Sequence, residues 1–166
     1  MPIAAPRPET WIKPTPAGLY CEPGGFYIDP SRPVPRAVIT HGHGDHARAG
    51  NDHVLATPQT IAIMQARYGE SAGGALQPLC YVESLTVGEV RVRLAPAGHV
   101  LGSAQIVLDY RGSRVVVSGD YKRRGDPTCA PFEPVNCDLF ITEATFGLPV
   151  FRHPRTNKKS ASCCIR

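Results

Sequence analysis

The stretch THGHGDHARAG, Thr40 to Gly50, places three histidines and an aspartate within six residues, directly after the apolar run AVIT. Imidazole nitrogens and carboxylate oxygens are ligands suited to Zn, Mn or Fe, so this spacing points to a metal loop at a strand end. His41 and His43, two apart in extended backbone, project the same way and can share one ion. Asp45 and His46, on the following turn, would face a second. Gly42 and Gly44 let the backbone bend tightly enough to gather all four side chains. Four donors do not complete two sites, so further donors are expected at other strand ends. His99, in PAGHVLGSA, and Asp120, which ends VVVSGD, fill that expectation, and the Asp120 carboxylate could bridge both ions. His53 and His153 stand alone and read as ordinary surface or hydrogen-bonded histidines.

Outward from the loop, GLYCEPGGFYID reads as two short strands around a Pro-Gly-Gly turn, closed by Asp29. RAVIT is a buried strand by its β-branched content. HVLATP is another, leading into a helix over TPQTIAIMQARYG with Thr57 as N-cap, Pro58 at the first position and Gly69 as stop. Ile61, Met64, Ala66 and Tyr68 are its expected sheet-facing positions. LCYV, EVRVRLAPA, AQIVLDY and SRVVVSGD follow as strands of a hairpin meander, with Val90, Val92 and Leu94 alternating against Arg91 and Arg93. CDLFITEAT is a last buried strand, ending at Glu143.

At 166 residues, with 17 prolines and 16 glycines, the chain has the size of one domain rich in turns. The net charge of +4 comes from its end: residues 152–166 hold five bases and no acid, whereas residues 1–151 are nearly balanced. The pI of 8.8 is therefore weak evidence for a nucleic-acid partner. No apolar run approaches the roughly 20 residues that span a bilayer, and the N-terminus lacks a basic region followed by an apolar one. No membrane association is expected, and a cytoplasmic location is. The six cysteines show no C-x-x-C spacing and read as reduced thiols, mostly core filler.

HGHGDH, with its separate His and separate Asp, resembles the dinuclear motif of the metallo-β-lactamase superfamily. APAGHVLGSAQI, VVSGDYKR and LFITEATFG are similar to its β-CASP branch of nucleic-acid-cutting nucleases, in which an acidic residue ends the strand after the bridging aspartate. Glu143 matches that acid, and Asp29 matches the structural aspartate that orients the histidine cluster. SGDYKRRGDPTCAPFEP and TEATFGLPVFRHP most resemble the ligase-associated DNA exonucleases, bacterial repair proteins encoded beside an ATP-dependent DNA ligase and a helicase.

The resemblance implies an α/β (α+β) chain with the αββα sandwich fold, of which residues 1–154 would form the N-terminal half: mainly one mixed sheet, a helix or two, and an exposed apolar sheet face. The β-CASP domain is expected to be absent, and the atypical basic residues 155–166 read as out-of-frame translation. It implies a metal-dependent DNA exonuclease of DNA repair, with DNA, an ATP-dependent ligase and a helicase as partners. His41, His43 and His99 would bind one Zn2+, Asp45 and His46 the other, and Asp120 would bridge, with Mn2+ as a substitute. Asp45, Asp120 and Glu143 would be catalytic. Two ions belong to the complete fold; about one is expected in this chain, which would then be weakly active or inactive. Lys122, Arg123 and Arg124 would hold flanking phosphates or form a solvated turn, and Arg48 is a weaker case of the same kind. Two other readings stay open: a small-molecule metallohydrolase of the same fold, such as a thioesterase or lactonase, and a non-catalytic zinc-binding fragment.

Overall fold

Short apolar runs broken by Gly and Pro cannot sustain long elements, and the computed structural model, which describes residues 4–145 and 147, accordingly consists mostly of short strands. The first sheet holds β1 (Ile12–Thr15), β2 (Gly18–Cys21), β3 (Phe26–Ile28), β4 (Arg36–Val38), β5 (His53–Ala56) and β6 (Ala75–Pro78), side by side in chain order. β1, β2 and β3 pair antiparallel, and β3 to β6 pair parallel. The second sheet is a meander of β7 (Ser84–Val87), β8 (Val90–Pro96), β9 (Ala104–Tyr110) and β10 (Ser113–Val117), of which the last three are the expected strands and β7 stands in place of LCYV. β11 (Leu139–Ile141) adds parallel to β10 at its edge.

Two sheets, rather than one mixed sheet, are therefore present, and they cover each other. The alternation of β8 turns Val90, Val92 and Leu94 inward, where they pack with Ile106, Leu108 and Val115 against Phe26, Ile28 and Val38 of the first sheet. Each such side chain contributes about 1.5–3 kcal/mol by leaving water. The face expected to lie exposed is thus the centre of the main core. On the outer side of the first sheet lies α1 (Pro58–Tyr68), the crossover between β5 and β6. Thr57 caps it by accepting the Thr60 N–H, Pro58 opens it and Gly69 ends it, as the sequence predicts. Ile61 and Met64 pack on Ile39, Val54 and Ala56, with Tyr68 partly covered. Ala66 is exposed instead, because it falls outside the 61, 64, 68 stripe.

Three further expectations change, and one strand is added. LCYV is a turn joining the sheets, closed by the Glu83 N–H on the Cys80 carbonyl (3.0 Å) and by the Glu83 carboxylate on the Cys80 N–H (3.1 Å), with Val82 94% exposed. The last strand stops at Ile141, two residues before Glu143, and is a half-exposed edge. β1 was hidden by Pro14, which an edge strand tolerates because one side needs no ladder partner. Of the described cysteines only Cys21 is buried; Cys80 is exposed, and Cys129 and Cys137 lie between. Residues 155–166 and His153 lie outside the described residues, and no described helix is long and apolar enough to cross a membrane.

Candidate metal centre

Strand direction decides where the donors meet. β3 and β4 run parallel, so Asp29 and the loop beginning at Thr40 leave the first sheet at the same end. β8 and β10 are both antiparallel to β9, and β11 is parallel to β10, so His99, Asp120 and Glu143 follow strands that run one way in the second sheet. The two ends are tied together at Thr40, whose carbonyl accepts the Ala104 N–H at 2.8 Å. Gly119, at φ +54°, passes so close that a Cβ there would lie 2.7 Å from the Thr40 side chain. His53 opens β5 level with Arg36, at the far end of the sheet, and is exposed, which agrees with its reading as an ordinary histidine.

His41, His43, His99 and Asp120 converge, each offering a ligand atom within 4.8 Å of the others. His43 Nδ1 lies 3.0 Å from His41 Nε2 and 3.3 Å from His99 Nε2. Asp120 Oδ2 lies 3.8 Å from His41 Nε2 and 3.6 Å from His99 Nε2. Its other oxygen, Oδ1, faces His46 Nε2 at 3.5 Å, and His46 Nε2 is 3.7 Å from Asp45 Oδ2. One carboxylate thus turns one oxygen to each of two donor groups: four residues on one side, and Asp45, His46 and the shared Asp120 on the other.

Asp29 governs the rings. Its Oδ1 accepts the Thr40 N–H (2.8 Å), and its Oδ2 accepts both the Thr40 hydroxyl (2.6 Å) and His46 Nδ1–H (2.8 Å). The Thr40 hydroxyl has only one hydrogen, so toward His41 Nδ1, 3.0 Å away, it must accept. His41 and His46 therefore both carry hydrogen on Nδ1 and present Nε2 lone pairs to the centre. Thr40 is the residue that strand-level reading overlooked; its signal was a hydroxyl adjoining the first histidine.

Burial dominates the pKa of His41, pushing it down to about 3, and the fully buried ring is neutral. Burial also lowers His99, while the Asp29 hydrogen bond raises His46. Asp45, exposed at the side chain, is lowered by a hydrogen bond within its own residue and stays ionised. The donor set fits a cation. The His41 lone pair and the His99 nitrogen both press on His43 Nδ1, and one proton there cannot serve both. A divalent ion of Zn2+ or Mn2+ type can.

Asp29, Asp45, His46, Asp120 and Glu143 line one cavity of about 320 Å³. Lys122, Arg123 and Arg124 follow Asp120 on its exit loop; Lys122 Nζ is held by Asp126 at 2.8 Å, and Arg123 and Arg124 are exposed. Arg48 is exposed beyond the ligand loop. Arg67, near the end of α1, was not singled out by its sequence context, yet its Nη1 reaches within 4.0 Å of where a Cβ on Gly44 would stand.

Among proteins of known kind, a probable DNA ligase of Opitutus terrae is 36% identical over 141 residues, covering 84% of this chain and 14% of that protein. A ribonuclease of Thermus thermophilus is 33% identical over 147 residues, covering 74% of this chain and 34% of that protein. The chain thus spans well under half the length of these relatives. A metallo-beta-lactamase fold protein of Bacillus subtilis superposes with a TM-score of 0.47 at 11% identity, over 60% of this chain and 52% of that one. The profile of the Metallo-beta-lactamase superfamily matches residues 29–162, from the aspartate that orients the rings through every donor described above. The chain belongs to the metallo-β-lactamase superfamily.

Proposed function

We propose that this chain carries the dinuclear metal centre of a nuclease that hydrolyses DNA phosphodiesters in repair, with zinc as its metal. The observation that carries the reading is the split of Asp120, one oxygen toward His41 and His99 and the other toward His46. His41, His43, His99 and Asp120 would hold one ion, and Asp45, His46 and Asp120 the other. Bound ions supply an activated water and polarise the phosphoryl oxygens. Asp45, ionised and exposed, orients the attacking water by accepting a hydrogen bond from it. Glu143, on the wall of the same cavity, accepts a proton during turnover. Arg123 and Arg124, beside Asp120, hold flanking phosphates.

The relative named a probable DNA ligase supports DNA as substrate; the ribonuclease relative supports RNA. Purified chain loaded with Zn2+ or Mn2+ is assayed on labelled DNA and RNA oligonucleotides, a thioester and a lactone, with His43→Ala and the longer relative as controls. Weak metal-dependent DNA cleavage, well below that of the longer relative and lost in His43→Ala, is expected. Cleavage of RNA in preference to DNA would reassign the substrate. Turnover of the small esters alone would replace the nuclease reading with the metallohydrolase one.

A further inference from the structure

His99 reaches the centre from the loop of residues 97–103, which has no donor neighbours of its own in sequence. Two contacts fix that loop. Within the loop, Ser103 Oγ accepts the His99 N–H at 3.0 Å and the Val100 N–H at 3.1 Å. Next to it, the Gly102 carbonyl accepts the hydroxyls of Thr57 at 2.7 Å and Thr60 at 3.2 Å. Thr57, Thr60 and Ser103 are 1%, 0% and 2% exposed, so water does not compete for these bonds. The loop is pressed onto the first turn of α1. A Cβ at Gly102 would lie 2.7 Å from Gln59 Cβ, 2.8 Å from Thr57 Oγ1 and 3.0 Å from Thr60 N, and its φ of +75° favours glycine besides.

The same helix touches the other ligand loop. A Cβ at Gly42, between His41 and His43, would lie 2.9 Å from Ile63 Cγ2. One rigid element therefore abuts the loop that carries His41 and His43 and the loop that carries His99, although 56 residues separate His43 from His99. Thr57 serves twice: as N-cap it accepts the Thr60 N–H at 3.2 Å, and its own hydrogen remains for Gly102.

We propose that α1 is the template that sets the distance between the two ligand loops, and that Thr57 and Thr60, through the Gly102 carbonyl, are positioning residues for His99. This rests on the metal reading above. Neither threonine is a ligand, yet removing their hydroxyls frees the His99 loop to shift. Groups hydrogen-bonded directly to a ligand side chain typically govern 10–100-fold in metal affinity; these threonines act through the Gly102 backbone, so an effect of about tenfold is expected.

The test compares wild type with Thr57→Val/Thr60→Val, Gly102→Ala and the conservative pair Thr57→Ser/Thr60→Ser. Zn2+ affinity is measured by chelator competition, the Co2+ absorption spectrum reports the ligand field, and circular dichroism of the metal-free protein reports the fold. The valine pair and Gly102→Ala are expected to bind about tenfold more weakly with an altered Co2+ spectrum and retained secondary structure, while the serine pair matches wild type. Should the valine pair unfold, Thr60→Val alone, which leaves the N-cap in place, is expected to weaken binding severalfold; wild-type affinity there overturns the proposal. A valine pair that folds and binds Zn2+ like wild type, with an unchanged spectrum, overturns it also. A wild-type chain that takes up no Zn2+ overturns the metal reading and this proposal together.

Discussion

Asp29→Asn changes one atom of a carboxylate that receives three hydrogen bonds, and the consequence can be followed atom by atom. A carboxamide accepts at only one of its two positions. If the atom facing the Thr40 N–H stays oxygen, an NH2 group stands where Oδ2 took the Thr40 hydroxyl at 2.6 Å and His46 Nδ1–H at 2.8 Å. Thr40 then accepts, turns its hydrogen to His41 Nδ1, and drives the His41 proton to Nε2. His46 Nδ1 likewise accepts, and its proton moves to Nε2. The flipped amide would instead leave the buried Thr40 N–H without an acceptor, at about 1–3 kcal/mol, so the first arrangement is favoured. Both rings now carry a hydrogen on the atom that must bind the ion. A loss of 10–100-fold at each position is expected, about 1.4–2.8 kcal/mol. Long-range proton–nitrogen correlation on the histidine rings of metal-free protein reads the tautomers, and chelator competition reads the affinities. Mildly alkaline pH is used because the Asp29 bond raises the His46 pKa. Unchanged tautomers together with wild-type affinity would refute the reasoning.

His43→Ala leaves three of four donors at the first position and is expected to lose its ion in metal analysis, whereas Asp120→Ala should deplete both; full occupancy in either variant contradicts the ligand assignment. Arg123→Ala should reduce the log-log salt slope of duplex binding by about 0.9, and Lys122→Ala by less, since Asp126 already holds its ammonium; equal slopes in all three proteins would remove both residues from the interface. Burial pushes the Cys21 thiol up to about 12, so it stays protonated at neutral and mildly alkaline pH, and a thiol reagent should label exposed Cys80 in native protein but Cys21 only in denaturant. Leu94→Ala opens the core between the sheets and should cost about 2–5 kcal/mol in urea unfolding; a loss under 1 kcal/mol, roughly what a tolerated surface change costs, would mean the sheets are not packed through it.

The donor cluster was legible because its chemistry is local: histidines and an aspartate at one strand end stand out by spacing, and His99 and Asp120, which converge on them, stand where apolar strands give way to glycine loops. What sequence could not supply was contact between distant segments. Nothing in LCYV foretells that Glu83 folds back on Cys80 and sends the chain from one sheet to the other, and with that turn unread the second sheet merges with the first. Pro14 hides a strand for the same reason, since an edge is defined by the partner it lacks. The centre depends on this long-range information. Alternation in β10 turns Val115 and Val117 toward the other sheet, and the chain then passes Gly119 against Thr40 before reaching Asp120. A side chain at 119 would collide with the residue that fixes the His41 tautomer. Gly119, just before Asp120, is therefore part of the same device as Asp29, joining the sheets where their donors converge.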